Sequence, residues 1–575
     1  MKKTLSYLKS YKKECILAPL FKLLEACFEL FVPLVIADII DIGISGGNKG
    51  YVWGRVGILA LLAVCGLAFA ITAQYFAAKA AVGFASKLRH ALFTRIQSLS
   101  YADTDKLGTS TLITRMTADV EQVQQGVNMV LRLLLRSPFV VFGAAIMAFT
   151  VDAKSAVTFA VTIPVMSAAV MTIMLITIPL YKKVQAKLDS LLGITRENLS
   201  GVRVIRAFRK ENAEYERFVS TNGDLTRSQK FVGRISALMN PLTYVLINCG
   251  VIALIWVGAL RVNSGTISQG QVVALYNYMS QILVELVKLA MLIITLTRAV
   301  ACAKRVDGVL TTENSMTENG DKEQKHTVIG GDVEFDGVEL TYPEAGAPSL
   351  SGVNFYAPSG STVGVIGGTG SGKTSLVNLI PRFYDVTKGC VKVGGTNVQK
   401  LDAETLRKNI GIVPQRAALF KGTIRSNLLW GKEDATDEEL WEALKTAQAE
   451  NVALDKGGLD AEVEQEGRNF SGGQRQRLTV ARALVRKPKI LILDDSASAL
   501  DLKTDAALRE AISKLDYKPT VFIVSQRAAA VMNAQLIVVL DEGAVVGMGT
   551  HDELMKTCPA YEEIYSSQFK KEADR

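Results

Sequence analysis

The sequence predicts an α-helical membrane domain followed by an α/β domain, and three observations lead to this fold class. Hydrophobic residues make up 49% of the 575 residues, which is too apolar for an ordinary soluble protein. Long apolar segments occupy the first half of the chain. Short β-rich runs alternate with helical stretches in the second half, as is typical of a sheet with helices packed on it.

Six segments are long and apolar enough to cross a bilayer. They are approximately Cys15–Ile42, Val56–Ala78, Met129–Val151, Ser155–Leu180, Pro241–Leu260 and Val272–Val300. The apolar run that follows the basic N-terminal tail is too long for a signal peptide and has no cleavage site of small residues. We therefore expect the tail to form an interfacial helix that leads into the membrane.

Positive charge indicates which side of the membrane each loop faces. The short loops on one side contain four Lys or Arg, whereas the tail and the two long loops on the other side contain five, six and twelve. The positive-inside rule places the basic side, and with it the second half of the chain, in the cytoplasm. The net charge of +9 is spread over these loops, so we expect contact with membrane lipids and no nucleic-acid partner.

The two long cytoplasmic loops, of about 50 and 60 residues, are rich in helix formers with apolar periodicity. They predict helical extensions of the membrane spans; unstructured connectors are the alternative, but such long ones are uncommon. The polar stretch Thr311–Thr327 predicts a linker. The expected domains are therefore a transmembrane domain at 1–308, a linker at 309–331 and a nucleotide-binding domain at 332–575.

A phosphate-binding loop is predicted at the start of the second domain. Gly367–Thr374 reads GGTGSGKT, a full GxxxxGK[ST] motif, between the apolar strand Thr362–Ile366 and a helix expected from near Ser375. Its glycines allow backbone amides to surround the phosphates, and Lys373 neutralises the β and γ groups.

Three residues are predicted to hold Mg²⁺ beside the phosphates. The hydroxyl of Thr374 follows the loop lysine, and Asp494 ends the apolar strand ILILD about 120 residues later. Gln415 lies between these motifs and can hold the metal or the attacking water, although one glutamine alone is weak support. The predicted ligands of this domain are ATP and Mg²⁺.

The order of the motifs resembles the ATP-binding cassette of ABC transporters. The motifs are GGTGSGKT, VPQ with Gln415, FSGGQRQR from Phe470, ILILDD and SALD. The six spans ahead of them, with GVRVIRAFRKE from Gly201, resemble the membrane domain of ABC exporters of the half-transporter type. The resemblance covers the chain from end to end. It implies an ATP-hydrolysing exporter in the bacterial cytoplasmic membrane, with the cassette in the cytoplasm.

The resemblance also implies roles for residues outside the phosphate loop. Tyr342 would stack on adenine, the alternative being a half-buried strand aromatic, and Ser471–Gln474 would press on the nucleotide held by the opposite subunit. The nucleotide-binding residues expected in all are Tyr342, Gly367, Gly368, Thr369, Gly370, Ser371, Gly372, Lys373, Thr374, Ser375, Gln415, Ser471, Gly472, Gly473 and Gln474, and the expected metal ligands are Thr374, Gln415 and Asp494.

Two catalytic positions depart from the family pattern. In the family, Glu usually follows the aspartate that ends this strand, the Walker B position held here by Asp494. This chain has Asp495 instead, and misplacement of a general base by about 1 Å can cost on the order of 10²-fold in rate. The switch histidine expected after VFIVS is replaced by Gln526, which lacks the charge and the proton chemistry of imidazole. Together they predict a degenerate site that binds ATP and hydrolyses it poorly.

The signature FSGGQ is nearly intact, with Phe470 in place of the usual Leu. This asymmetry resembles bacterial heterodimeric multidrug exporters and implies a second, non-identical half-transporter that performs most of the hydrolysis. The pair would export amphipathic small molecules by alternating access. Two alternatives remain open: a nucleotide-gated or regulatory membrane subunit without uphill transport, and a homodimeric slow exporter of lipids or drugs.

Charged residues inside two predicted spans are further candidates. Lys22, Glu25 and Glu29 share one face of the first span, and Glu285 and Lys288 are three residues apart in the sixth. Ionisable groups inside a membrane are functional candidates by default. The alternative, an ion pair or snorkelling side chains that the membrane merely tolerates, is equally compatible with the sequence.

Overall fold

A computed structural model describes residues 2–316, 330–343, 345–496 and 499–573. The chain divides into two compact units. Unit 1 is Met1–Gln97 with Ser110–Thr312, and unit 2 is Ser98–Thr109 with Glu313–Arg575. Residues 317–329 of the predicted linker lie outside the described residues, and its first three residues are the end of a helix. The domain bounds at 308 and 332 remain a prediction.

The first 312 residues are almost entirely helical. The helices are α1 (Lys2–Ser6), α2 (Lys12–Asp38), α3 (Lys49–Ser98), α4 (Tyr101–Leu107), α5 (Thr109–Thr114), α6 (Val120–Leu133), α7 (Arg136–Val151), α8 (Ala153–Ser200), α9 (Val202–Ala207), α10 (Glu211–Ala237), α11 (Met239–Asn263) and α12 (Gln269–Thr311). A 3₁₀ turn at Tyr7–Tyr11 and π turns at Ile39–Ile44 and Arg115–Asp119 join some of them.

Five helical stretches are long and apolar enough to cross a membrane, judged by length and composition. They are Lys49–Ser98, Thr109–Val151, Ala153–Ser200, Glu211–Asn263 and Gln269–Thr311, and they contain five of the six predicted spans. The remaining predicted span lies on α2, which carries three charged residues in its interior. Several of these helices extend well beyond the predicted spans, which confirms the expected helical extensions.

The core of unit 1 lies between α2, α7, α8, α11 and α12. Phe159, Leu254 and Tyr278 are fully buried there, and the hydroxyl of Tyr278 donates a hydrogen bond to the Leu30 carbonyl at 2.7 Å. α12 also packs closely on α6, where Gly126 lies against Ala299. The buried face of α12 therefore holds most of the unit together.

Polar groups tie the N-terminal helices to both ends of α12. Asp41, in the turn after α2, accepts hydrogen bonds from the Ser268 hydroxyl and from the Gly270 amide, the latter at 2.8 Å, and so caps the start of α12. Near the other end of α12, Asp307 accepts hydrogen bonds from the Thr4 amide and hydroxyl at 3.0 and 2.8 Å.

Unit 2 contains twelve described strands. They are β1 (Val333–Leu340), β2 (Leu350–Ala357), β3 (Thr362–Gly367), β4 (Lys388–Val393), β5 (Thr396–Asn397), β6 (Ile410–Val413), β7 (Gly422–Thr423), β8 (Glu462–Val463), β9 (Ile490–Asp494), β10 (Thr520–Ser525), β11 (Leu536–Asp541) and β12 (Ala544–Gly549). The main sheet has the order β12-β11-β3-β10-β9-β6 and is parallel except for β12. A smaller antiparallel sheet has the order β2-β1-β4-β5.

Helices pack around these sheets and complete the predicted α/β fold. They are α13 (Lys373–Asn378), α14 (Ala403–Lys408), α15 (Ile424–Leu428), α16 (Asp437–Thr446), α17 (Glu450–Lys456), α18 (Gly472–Val485), α19 (Leu502–Ser513), α20 (Ala528–Val531), α21 (His551–Thr557) and α22 (Pro559–Ala573). The central strand β9 is buried along its whole length, as expected for a parallel strand covered on both faces.

Helix α4 belongs to unit 2, although the sequence placed it within the membrane domain. The Tyr101 ring stacks on Phe383 with 4.4 Å between ring centroids, and the Tyr384 hydroxyl donates a 2.7 Å hydrogen bond to Asp105. Burial and this carboxylate raise the pKa of Tyr384. Aromatic packing thus attaches this short segment of the first cytoplasmic loop to the α/β fold.

Candidate nucleotide-binding site

The carboxyl ends of three adjacent parallel strands bring the predicted site residues together. β10 lies between β3 and β9, with Ser525 opposite Ile366 and Val524 opposite Asp494. The phosphate loop therefore follows β3 on one side, and the acidic pair follows β9 on the other. Ligands of open α/β sheets bind at this edge.

The phosphate loop has the backbone geometry that its glycines permit. Gly370 and Gly372 have φ values of 82° and 94°, in the region that favours glycine. Helix α13 begins at Lys373, two residues earlier than the sequence predicted, because the lysine itself forms the first turn after Gly372. The start of α13 and the loop amides thus face the same space.

Lys373 is the main positive group of this loop. Its side chain is buried, and its ammonium donates hydrogen bonds to the carbonyls of Gly367 and Gly368 at 2.9 and 2.5 Å. Within the described residues, no carboxylate lies within 4 Å of it, and burial lowers its pKa. Within the part of the chain that the structure describes, this buried cation has no direct ion pair, which suits a phosphate group, so the loop fits ATP.

Thr374 and Asp494 form the metal side of the site. The Thr374 hydroxyl lies 3.0 and 3.1 Å from the two carboxylate oxygens of Asp494. Asp494 is 4% exposed, and burial, together with the neighbouring Asp495 charge, raises its pKa. A buried carboxylate beside a hydroxyl is a donor set that Mg²⁺ accepts, and a cation there would relieve this unfavourable charge.

The two departures from the family pattern lie in the same site. Asp495 adopts a φ of 46°, its amide donates to the Val524 carbonyl at 3.0 Å, and its carboxylate accepts a 3.4 Å hydrogen bond from Gln415. Gln526 directly follows β10 and is exposed. Gln415 therefore contacts Asp495 in this structure, and its role as a metal ligand stays a prediction.

A cavity of about 550 Å³ contains most of the predicted residues. Its wall is formed by Ala347, Pro348, Ser349, Thr369, Gly370, Ser371, Gly372, Lys373, Thr374, Ser375, Gln415, Asp494, Asp495, Val524, Gln526, Glu542 and Gly543. The sequence interpretation missed the residues before β2 and the hairpin tip between β11 and β12. The Asp-Glu-Gly sequence at that tip indicates a tight turn, but nothing local indicates that it meets the phosphate loop.

Tyr342 borders the phosphate loop but is not part of the cavity wall. Its hydroxyl donates to Ser375 on α13 at 2.9 Å, and its ring meets Tyr384 edge to face, with 5.0 Å between ring centroids. It is half-buried and packs against the core of the smaller sheet. Both the adenine-stacking role and the alternative role as a strand aromatic are compatible with this position.

The signature residues Ser471–Gln474 also lie outside this cavity. Ser471 caps α18, since its hydroxyl accepts from the Gln474 amide at 3.3 Å and its own amide donates to the Gln474 side chain at 2.9 Å. Ser471 and Gly472 are exposed, and Phe470 is buried behind them. The start of this helix is thus capped and exposed.

These observations define the class of protein. Unit 2 is a phosphate-loop nucleotide-binding domain, and unit 1 is a bundle of membrane-length helices. A single chain that combines them is a membrane transporter subunit with an ATPase domain.

Comparison with known proteins identifies the family. The family model described as ABC transporter transmembrane region matches residues 15–286, and the model described as ABC transporter matches residues 350–498. An uncharacterized ABC transporter ATP-binding protein of Bacillus subtilis, YfiB, is 37% identical over 100% of this chain and 99% of its own length. The chain therefore belongs to the ABC transporter family, as a half-transporter.

Two further comparisons concern the type of transporter. The putative multidrug export ATP-binding/permease protein YgaD of Bacillus subtilis is 30% identical over 99% of each chain. A solved structure of a bacterial Atm1-family ABC exporter with ATP bound has a TM-score of 0.81 to this chain, at 22% identity, and covers 97% of this chain and 98% of its own. The chain thus has the exporter fold, a multi-pass membrane domain with a cytoplasmic cassette.

Proposed function

We propose that this chain is the degenerate-site subunit of a heterodimeric ABC exporter of amphipathic compounds. The observation that carries the proposal is that Asp495 and Gln526, both departures from the family pattern, line the same cavity as Lys373. Either change alone is compatible with neutral drift, but their combination in one site favours weak hydrolysis. Export is favoured by similarity to a relative described as a putative multidrug exporter.

Each residue of the site would have a defined part when ATP and Mg²⁺ are bound. Lys373 and the loop amides would hold the phosphates, while Thr374, Asp494 and Gln415 would hold the metal, which neutralises phosphate charge. Asp495 would reach less far than Glu toward an attacking water, and Gln526 would offer a neutral hydrogen bond to the γ-phosphate. The site would therefore retain ATP and turn it over slowly.

The start of α18, where the signature residues Ser471–Gln474 lie, supports a partner that hydrolyses ATP. Ser471 and Gly472 are exposed at the start of a capped helix, a geometry suited to phosphate contact. In a pair of cassettes, this helix start would complete the partner's site, where Glu and His would take the positions of Asp495 and Gln526. Closure of the two cassettes around ATP would then be transmitted through the helical cytoplasmic loops to the spans.

ATPase activity in lipid nanodiscs tests this proposal. The samples are this chain alone, the chain co-expressed with its partner, and pairs that carry either Asp495→Ala here or the matching acid-to-Ala change in the partner. We expect turnover only from the pair, a loss of at least about 10²-fold from the partner's change, and little loss from Asp495→Ala. Asp516→Ala, an exposed acidic position outside the cavity, is the matched control.

The opposite results would contradict the asymmetric arrangement. If Asp495→Ala abolishes turnover as completely as the partner's change, this site is competent. Vigorous ATPase from the lone chain would favour the homodimeric exporter instead. A pair that hydrolyses ATP but moves no compound against a gradient would favour the regulatory subunit.

A further inference from the structure

Six charged side chains within the predicted spans form one network in unit 1. The guanidinium of Arg136, at the start of α7, lies 2.6 Å from Glu29 of α2 and 2.5 Å from Glu285 of α12. Lys288 lies 2.8 Å from Glu285, Lys22 lies 2.5 Å from Glu25, and Glu25 lies 3.9 Å from Arg136. Three positive groups balance three negative ones, so the network as a whole is neutral.

The inner part of this network is buried and structural, and within the described residues only the Nε of Arg136 has no hydrogen-bond partner there. Glu285 is 3% exposed and accepts hydrogen bonds from Arg136, from Lys288 and from the Ser137 hydroxyl at 2.8 Å. Arg136 is 6% exposed. A buried carboxylate with three donors and a buried guanidinium with carboxylates on two of its nitrogens hold each other in place. These contacts hold Arg136 and Glu285 in place beside Glu29 and Lys288.

The outer edge of the network is open. The side chains of Glu29 and Lys288 are 42% and 41% exposed, and each has one ion-pair partner among the described residues. They are joined through Arg136 and Glu285, so both lie within a few hydrogen-bond lengths of one guanidinium. Charged side chains within membrane spans face the bundle interior or water and not lipid tails. The edge therefore presents one carboxylate and one ammonium that are linked through Arg136 and Glu285.

Apolar surface lies beside this edge. A hollow of about 80 Å³ lies between α8 and α12, and its wall includes Met171, Met174, Ile293 and Leu289, the residue that follows Lys288. Methionine side chains are flexible and polarizable, so such a wall adapts to apolar bodies of different shape. A charge pair with an adaptable apolar wall beside it suits a ligand that carries both kinds of group.

We propose that Glu29 and Lys288 form a binding site for zwitterionic amphipathic compounds. The cationic group of the ligand would pair with Glu29, its anionic group with Lys288, and its apolar body would lie along α12 toward the methionine-lined hollow. A compound with only one charged group would pair with only one of Glu29 and Lys288. This inference rests on the proposed export of amphipathic compounds and specifies their chemical class.

Binding of one fluorescent probe and two derivatives tests the site. Ciprofloxacin is zwitterionic at neutral pH, its ethyl ester is only cationic, and its N-acetyl derivative is only anionic. Binding to the full transporter in nanodiscs, without nucleotide, would be followed by fluorescence anisotropy. We expect the zwitterion to bind about 10-fold more tightly than either derivative, since each derivative lacks one of the two charge-assisted hydrogen bonds.

Two variants then assign each charge to its residue. Glu29→Gln is expected to lower the affinity for ciprofloxacin and its ester about 10-fold and to leave the N-acetyl derivative unchanged. Lys288→Gln is expected to lower the affinity for ciprofloxacin and its N-acetyl derivative about 10-fold and to leave the affinity for the ester unchanged. Glu14→Gln is the matched control, because this α2 carboxylate pairs with Lys79 outside the network, at 3.1 Å.

The pattern across probes separates a binding role from a structural one. Equal losses for all three probes in both variants would overturn the proposal, because they would indicate a disturbed fold. Equal affinities of the intact transporter for the three probes would also overturn the proposal. A lack of ciprofloxacin binding would do the same. Because no nucleotide is present, these outcomes are independent of the proposed ATPase asymmetry between the two cassettes. The binding proposal and the asymmetry proposal can therefore fail separately.

Discussion

Asp494, a proposed metal ligand, has a cost in stability. It is buried, it lies beside Asp495, and its pKa is raised above the ordinary value, mainly by burial. The folded state therefore holds a proton on this carboxyl more tightly than the unfolded state does. The contribution of Asp494 to stability consequently falls as pH rises through its folded pKa, and at neutral pH the ionised group destabilises the empty site.

Asp494→Asn is accordingly expected to stabilise the nucleotide-free chain. The amide still accepts the Thr374 hydrogen bond but carries no charge, so we expect a rise in Tm of about 2–4 °C, or about 1 kcal/mol for a domain of this size. The same variant should lose the further stabilisation that ATP with Mg²⁺ gives. Thermal unfolding of the full chain in nanodiscs, with and without ATP and Mg²⁺, measures both.

The control for this comparison is Asp516→Asn, an exposed position that should change neither quantity. A lower Tm for Asp494→Asn would show that the ionised carboxylate stabilises the empty fold. Undiminished stabilisation by ATP and Mg²⁺ would remove Asp494 from the metal site.

At the scale of single residues, the sequence predicted what local motifs determine. Lys373, Thr374 and Asp494 were identifiable because the phosphate loop and the strand-end acid have fixed chemistry and context. Arg136 was not, since its role depends on carboxylates on α2 and α12 that lie 107 and 149 residues away in the chain. Glu542 was missed for the same reason, because only the sheet order brings its hairpin to the phosphate loop.

At the scale of elements, the close approach of α6 and α12 depends on a missing side chain. Gly126 faces Ala299, and a Cβ on this glycine would overlap the Ala299 side chain. Glycine is otherwise unfavourable in a helix by roughly 0.5–1 kcal/mol relative to alanine. Its presence here is explained by packing, since helices with small residues at their interface approach closely.

Gly126→Ala should therefore destabilise the membrane unit, whereas alanine usually stabilises a helix. We expect a loss of about 1–3 kcal/mol from overpacking, seen as a lower Tm in nanodiscs. Gly57→Ala is the matched control, because no atom lies within 4 Å of the Cβ position of this α3 glycine. An equal or higher Tm for Gly126→Ala than for Gly57→Ala would contradict the packing account.

The elements themselves were largely predictable, but their associations were not. Apolar length and periodicity revealed the spans and their cytoplasmic extensions. The short α4, with the sequence YADTDKL, gives no local indication that it packs in unit 2. Its attachment depends on the stacking of Tyr101 on Phe383, which the sequence places 282 positions later. Contacts between residues so far apart in the chain leave no periodic pattern in the sequence.

At the scale of the whole molecule, the first predicted span is the unusual one. Lys22, Glu25 and Glu29 make α2 too charged to meet the criteria that the other five stretches satisfy. Charged residues cross a membrane when they pair with each other inside a bundle. Arg136 of α7 and the Lys22–Glu25 pair supply these partners. We therefore expect α2 to cross the membrane as part of unit 1.

Cysteine labelling tests this topology in a background in which the seven native cysteines are replaced by serine. Asn48→Cys, after α2, should react with a membrane-impermeant maleimide in intact cells. Ser6→Cys, before α2, should react only after permeabilisation, as should the cassette control Asp552→Cys. Identical labelling of Ser6→Cys and Asn48→Cys would mean that α2 does not cross.

The hydrogen bonds that tie the N-terminal helices to α12 have a mechanical consequence. Asp307 holds Thr4 near one end, Arg136 joins Glu29 to Glu285 in the middle, and Asp41 caps the other end. Two of these ties join α2 and the turn after it to α12, and the third joins α1 to α12. We therefore expect α2 and α12 to move together during transport, so that the first and last predicted spans behave as one body.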